Sequence, residues 1–204
     1  MINVSNDQYY KVNGVASLFK EESKGIAKLS RFEFKPDPLF NLHAARDHPM
    51  FRIREGEYIK LHVNGRLMMS DTGMERISNK PFINNATGKV LIAGLGIGLI
   101  IHNTLPNNSI TEITVIEKYQ DVIDLVAPKF NDPRLNIICA DIHTWEPPKG
   151  TKYDTIYFDI WPDICVENLS EIRSLHARFK SRKAPNGWMN SWMKEFLQKQ
   201  KRKY

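Results

Sequence analysis

The sequence predicts an α/β protein in which a doubly wound parallel sheet, truncated at its C-terminal edge, follows a small N-terminal β-hairpin annex. Three observations carry that reading. Between Lys89 and Asp159, short apolar runs alternate with segments of helical period. A glycine cluster, Gly94-Leu95-Gly96-Ile97-Gly98, follows the first run. Acids stand at or just beyond the ends of the later runs, at Glu117, Asp141 and Asp159. Strands alternating with helices at this spacing are joined by right-handed crossovers into a parallel sheet, whose ligands lie at the strands' carboxyl ends.

Taken in order, residues 1–50 are mixed, with Pro36, Pro38 and Pro49 interrupting periodicity, and read as a loop-rich arm. Tyr58 to Val63 alternates, Asn64-Gly65 suits a two-residue type I′ turn, and Arg66 to Met69 returns, which predicts a hairpin. Lys89 to Ala93 is an apolar run ending in glycine, as a buried parallel strand would be. A helix over Leu99–Leu105 stops at Pro106. A second strand, Ile113 to Glu117, a helix over Asp121–Phe130 and a third strand, Leu135 to Ala140, repeat the unit, and Tyr153 to Asp159 gives a fourth strand. Val166 to Lys183 is helical, Pro185-Asn186-Gly187 reads as a turn, and another helix is expected from Trp188, with a fifth strand near Trp188 to Asn190 as the alternative.

Hydrophobic residues are 42% and charged residues 25% of the 204-residue chain, which excludes disordered, collagen-like and disulfide-scaffold classes. No stretch reaches the roughly 18 to 20 apolar residues of a membrane span, and the start, Met1 to Asn6, is polar. A cytoplasmic protein with no membrane partner and with reduced thiols at Cys139 and Cys165 is therefore expected. Net charge is +6, but residues 173–204 hold ten basic side chains against Glu195 alone, leaving residues 1–172 at −3. That basic end reads first as a solvated helix terminus and second as a nucleic-acid contact.

The glycine loop between strand and helix lets backbone N–H groups approach an anionic or polar ligand. Leu99 stands where a dinucleotide fingerprint needs its third glycine, so a pyrophosphate ligand is disfavoured. Glu117, roughly 20 residues on, can accept both hydroxyls of a ribose. The pair calls for a ribose-containing ligand. Asp159 and Asp163 flank Trp161-Pro162 in the loop after the fourth strand, where paired carboxylates can act as a base toward an attacking nucleophile. For Asp163 a helix N-cap is an equal reading, and Trp161 reads as packing before stacking. His43, Asp47 and His48 match no zinc pattern, so no metal is expected. His102, His143 and His176 read as structural or solvated, and Met68, Met69, Tyr9, Tyr10, Phe32 and Phe34 as annex core.

The run Val90 to Pro162 resembles the class I S-adenosylmethionine-dependent methyltransferases, a Rossmann-like fold, and within them the spermidine-synthase branch. The resemblance rests on Gly94, Gly96 and Gly98, on Val115-Ile116-Glu117-Lys118, on Ala140-Asp141, and on Tyr153-Asp154-x-Ile156-x-x-Asp159. The hairpin through Val63-Asn64-Gly65-Arg66 with Ser70-Asp71 extends it to roughly residues 57–163. It implies an annex in residues 1–85 and an S-adenosylmethionine-binding domain in residues 86–204. It assigns Gly94, Gly96 and Gly98 to the methionine part of the cofactor, Glu117 to its ribose and Asp141 to its adenine amine. Polyamine synthases carry an Asp in the glycine loop where Ile97 stands here, so the resemblance favours methyl transfer to a small-molecule or macromolecular acceptor. Aminopropyl transfer and a catalytically silent cofactor- or nucleic-acid-binding module are the alternatives, and oligomeric state is open.

Overall fold

The computed structural model describes residues 12–35, 37, 39, 42 and 49–202. Two sheets organise it. The first is antiparallel, in the order β1 (Glu22–Lys24), β2 (Ala27–Phe34), β3 (Gly56–Val63), β4 (Arg66–Ser70). The second is parallel throughout, in the order β7 (Leu135–Cys139), β6 (Ile110–Glu117), β5 (Gly88–Ala93), β8 (Tyr153–Phe158), β9 (Lys183–Ser191).

The predicted hairpin is β3 and β4, but the annex is larger than one hairpin. Residues 22–34, expected to be loop, form β1 and β2, with Leu29 opposite Leu61 and Ala27 opposite Val63. Ala27 and Leu29 are buried while Lys28 faces solvent, the alternation of a half-covered antiparallel strand. It is hard to read because Ser30, Arg31 and Glu33 break up its second half. Asp71 ties this sheet to the chain before it. Its fully buried carboxylate accepts the N–H groups of Val15 and Ala16 on one oxygen and of Ile59 on the other, at 2.9 to 3.0 Å.

In the parallel sheet, β5 is central, and Val90, Leu91, Ile92 and Ala93 are each at most 1% exposed. A strand covered on both faces must be apolar throughout, which is why this run is continuous rather than alternating. The helices that follow are α3 (Leu99–Thr104) and α4 (Gln120–Val126), the latter extended by a 3-10 turn at Ala127–Lys129. α5 (Asn168–Phe179) buries Leu169, Ile172, Leu175 and Phe179 along one stripe, and Phe179 meets Phe158 edge-on at 5.4 Å. Each such side chain contributes roughly 1.5 to 3 kcal/mol on burial.

At the C-terminus the alternative of a fifth strand through Trp188 to Asn190 holds, and the turn and the helix from Trp188 are corrected. Lys183–Ser191 is a strand parallel to β8, not a turn followed by a helix, and the helix α6 starts only at Lys194 (Lys194–Lys201). The register moves from Tyr153 opposite Lys183 to Thr155 opposite Trp188, so Pro185-Asn186-Gly187 is accommodated as an irregularity inside the strand. Trp188 then stacks near Tyr157, with centroids 6.0 Å apart. Two short helices, α1 (Gly73–Ser78) and α2 (Lys80–Asn85), join the annex to β5. Among the described residues no helix is long and apolar enough to cross a membrane.

The crossovers from β5 run to β6 on one side, while β8 packs on the other. That reversal opens a crevice above the carboxyl end of β5.

Candidate functional site

A cavity of about 580 Å³ occupies that crevice. Its walls are the glycine loop at Gly94 and Gly96, the end of β6 at Glu117, the turn after β7 at Asp141, and the loop from Asp159 to Pro162. The annex closes it from above with Leu61, Arg66, Met68 and Met69. A volume in this range suits a nucleoside-sized ligand. Among the sequence-predicted site residues, Gly94, Gly96, Glu117, Asp141 and Asp159 line the cavity, whereas Gly98 and Asp163 do not.

The loop glycines are required by the protein itself. At Gly94 (φ +97°) a Cβ would sit 2.1 Å from the Asp159 carbonyl oxygen, so only glycine lets the ends of β5 and β8 meet. At Gly96 (φ +53°) it would sit 2.1 Å from Met69 Sδ, the sulfur that accepts the Ile97 N–H at 3.3 Å. At Gly96 the place a Cβ would take is held by a thioether from β4. Gly98 packs against Phe130 and opens α3.

Glu117 is 7% exposed. Its Oε2 accepts the Leu95 N–H and its Oε1 the Tyr119 N–H, both at 2.9 Å, which fixes the carboxylate against the glycine loop. Burial pushes its pKa up, while those N–H groups and the ones from Lys118 and Gly96 pull it down. Of these N–H groups, those of Leu95 and Tyr119 stand in hydrogen-bond geometry, one on each oxygen, so about two of a carboxylate's roughly four lone-pair sites remain. Asp141 accepts the His143 N–H at 3.0 Å and pairs with Lys118 Nζ at 3.0 Å, and both interactions hold its carboxyl below the usual range.

At the cavity floor Asp159 faces a group absent from the sequence reading, Glu75 on α1. Burial pushes the Asp159 carboxyl up to about 7, against a hydrogen bond from the Asn79 side chain that lowers it. Glu75 is raised well above the ordinary range, first by burial and then by repulsion from Asp159. Asn79 is fully buried and anchors the floor: its Oδ1 accepts the Tyr157 hydroxyl at 2.9 Å and its Nδ2 donates to the Glu75 carbonyl at 3.1 Å. One carboxyl of such a pair stays protonated while the other is a base poised near neutrality, able to attract a cation or take a proton from nitrogen.

Asp163 is neither the partner of Asp159 nor the N-cap of α5, which is Glu167. Its exposed carboxylate pairs with Arg66 at the tip of the annex hairpin. Trp161 is 8% exposed, lines the cavity and donates through Nε1 to Glu171 on α5. Glu171 also pairs with His143 Nε2 at 3.1 Å. Met68 and Met69, expected as annex core, pack against the core and also line the cavity, as does His143, expected as structural or solvated. Glu75, Glu171 and Trp192 also line it, and no spacing rule links them to the glycine loop. His43, Asp47 and His48 lie outside the described residues, among which no group of three acid, histidine or cysteine side chains could hold a metal.

No family model matches the chain. The curated protein Polyamine aminopropyltransferase 1 from Streptomyces coelicolor is 25% identical over 130 residues, covering 57% of this chain and 24% of that protein. The crystal structure of spermidine synthase from Thermotoga maritima aligns with 84% of this chain and 55% of its own, at 16% identity and a TM-score of 0.50. An S-adenosylmethionine-dependent methyltransferase from Clostridium acetobutylicum aligns over 56% of this chain and 46% of its own, at 19% identity and a TM-score of 0.40. The chain thus spans about a quarter of the curated relative and about half of these structures. The spermidine synthase alignment is a likeness of fold, and it takes in the annex as well as the parallel sheet.

Proposed function

We propose that the chain is an S-adenosylmethionine-dependent transferase that delivers a methyl group to an amine nitrogen. The observation that supports this most is the single cavity shared by Glu117, Asp141 and the Asp159–Glu75 pair. The donor set fits the cofactor. Glu117 retains acceptor capacity for two ribose hydroxyls, Asp141 stays ionised and can accept from an adenine amine, and the two floor carboxyls favour a cationic centre. When bound, the cofactor supplies a methyl group already activated by the sulfonium charge.

The chain's residues then have to position and deprotonate. Glu117, fixed by Leu95 and Tyr119, would hold the ribose, and Asp159 and Glu75 would stand at the reacting end. Asp159, when ionised, would accept the proton that the amine nitrogen sheds. Glu75, kept protonated beside it, prevents two adjacent charges from forming. Trp161 and the annex methionines exclude water, which strengthens each of these interactions. Alignment supplies most of the acceleration, because the donor needs no further activation.

A second reading, aminopropyl transfer, is supported by the alignment of the annex with spermidine synthase. It is weakened by Ile97, a fully buried apolar residue in the glycine loop that offers no partner to a second ammonium. Calorimetry with S-adenosylhomocysteine and methylthioadenosine side by side separates the two. Tighter binding of the first supports methyl transfer, tighter binding of the second supports aminopropyl transfer, and binding of neither rejects both.

A further inference from the structure

Seven basic side chains of the C-terminal region are sorted by the fold. Arg178 and Arg182 reach Glu146, at 2.9 and 3.7 Å, and Lys183 turns onto the carbonyls of Ala184 and Gly187. Arg173, Lys194, Lys201 and Arg202 instead gather around a second cavity, of about 480 Å³, between α5 and α6. Helical spacing explains the gathering. Leu169, Ile172, Arg173 and His176 lie on one face of α5, and Lys194, Gln198, Lys201 and Arg202 on one face of α6, at intervals of three, four and seven or eight residues.

No carboxylate among the described residues lines this cavity. Glu195, the one acid of α6, instead accepts a hydrogen bond from the Asn190 amide. His176 bonds to Ser191 Oγ at 2.8 Å, and burial first, Lys194 second, hold its ring down to about 4, so it stays neutral and adds no charge. The floor is apolar, formed by Leu169 and Ile172. Four cations line one concave site, and the acid within electrostatic reach of His176, Glu195, is bonded to Asn190, so the site keeps an excess of positive charge that attracts an anion.

We propose that this α5–α6 cavity binds the diphosphate group of a small organic anion of nucleotide size. The four cations can offset the roughly three negative charges of an organic diphosphate, and the apolar floor accommodates the organic part. A concave pocket with an apolar floor favours such a ligand over a nucleic-acid strand, which would follow an extended basic track. The site is distinct from the cavity above β5, so its test does not depend on the transferase reading.

The full chain is titrated calorimetrically with inorganic pyrophosphate at low salt. One saturable site is expected, weakened by roughly tenfold in Arg173→Gln and in Lys201→Gln, and retained in Lys201→Arg. Arg182→Gln, whose guanidinium faces Glu146, leaves the affinity unchanged. Thermal melts check that each surface variant is folded. The proposal is overturned if no saturable binding appears up to about 10 mM pyrophosphate, or if Arg182→Gln weakens binding as much as the cavity variants. It is also overturned if a single-stranded oligonucleotide binds and pyrophosphate fails to displace it, an outcome that makes the basic end a nucleic-acid surface.

Discussion

Glu117→Gln tests both roles of the residue that supports the glycine loop and faces the cavity. The wild-type carboxylate accepts one backbone N–H on each oxygen, from Leu95 and from Tyr119. A carboxamide has one acceptor and one donor, so whichever way it turns, its NH₂ faces a backbone N–H. One buried donor loses its partner, a cost of about 1 to 3 kcal/mol. For a chain of this size that lowers Tm by roughly 2 to 10 °C. On the cavity side, one charged acceptor for a ribose hydroxyl is lost, which weakens S-adenosylhomocysteine by about 10- to 100-fold. Because burial raises the Glu117 pKa, the wild type should also lose affinity as pH falls sooner than an exposed carboxylate would dictate. Scanning calorimetry and isothermal titration on the same preparations read both effects. Wild-type Tm together with wild-type affinity refutes the reasoning. A lowered Tm with unchanged affinity leaves Glu117 as a strut of the loop and removes it from the ribose.

Asp159 is protonated more readily folded than unfolded, so between its ordinary 3.8 and about 7 the native state holds the extra proton and stability falls as pH rises. Urea midpoints at pH 5 and pH 8 should show that fall in the wild type and a flatter dependence in Asp159→Asn. The same variant should lower S-adenosylhomocysteine release with alkylamine acceptors by on the order of 100-fold, and wild-type turnover should drop about tenfold per pH unit below 7. Gly96→Ala should cost about 1 to 3 kcal/mol, through left-handed strain and the clash with Met69 Sδ. Part of that loss should be recovered in Gly96→Ala/Met69→Ala, measured as a double-mutant cycle in urea, and strict additivity would show that the thioether does not fill the space. Asp71→Ala leaves three backbone N–H groups without their acceptor. It should lower stability by about 3 to 5 kcal/mol, and an unchanged urea midpoint would contradict the pinning role.

What could be read from the sequence follows from which interactions are local. The β5 run, the glycine loop and Glu117 are legible because strand, turn and strand end lie within about one βαβ unit, whose geometry is stereotyped. β9 is obscured because Pro185-Asn186-Gly187 has turn chemistry, and pairing with β8 overrides it through Trp188 and Met189. β2 is obscured by Arg31 and Glu33, whose side chains pair at the surface with Glu57 on β3 and with Lys35. The candidate base was legible from its strand end, but Glu75 was not. It comes from α1, 84 positions before Asp159, and only the docking of the annex over β5 brings the two carboxyls together. The same docking, through Arg66, draws Asp163 away from the pairing its proximity to Asp159 suggests.

A crystal structure of the chain soaked with S-adenosylhomocysteine shows which way a nucleoside lies across β5. Ribose hydroxyls on Glu117, the adenine amine near Asp141, and the sulfur on the side of Asp159 and Glu75 are expected. A nucleoside bound elsewhere, or one lying across β5 with its sulfur directed toward Asp141, would contradict that placement.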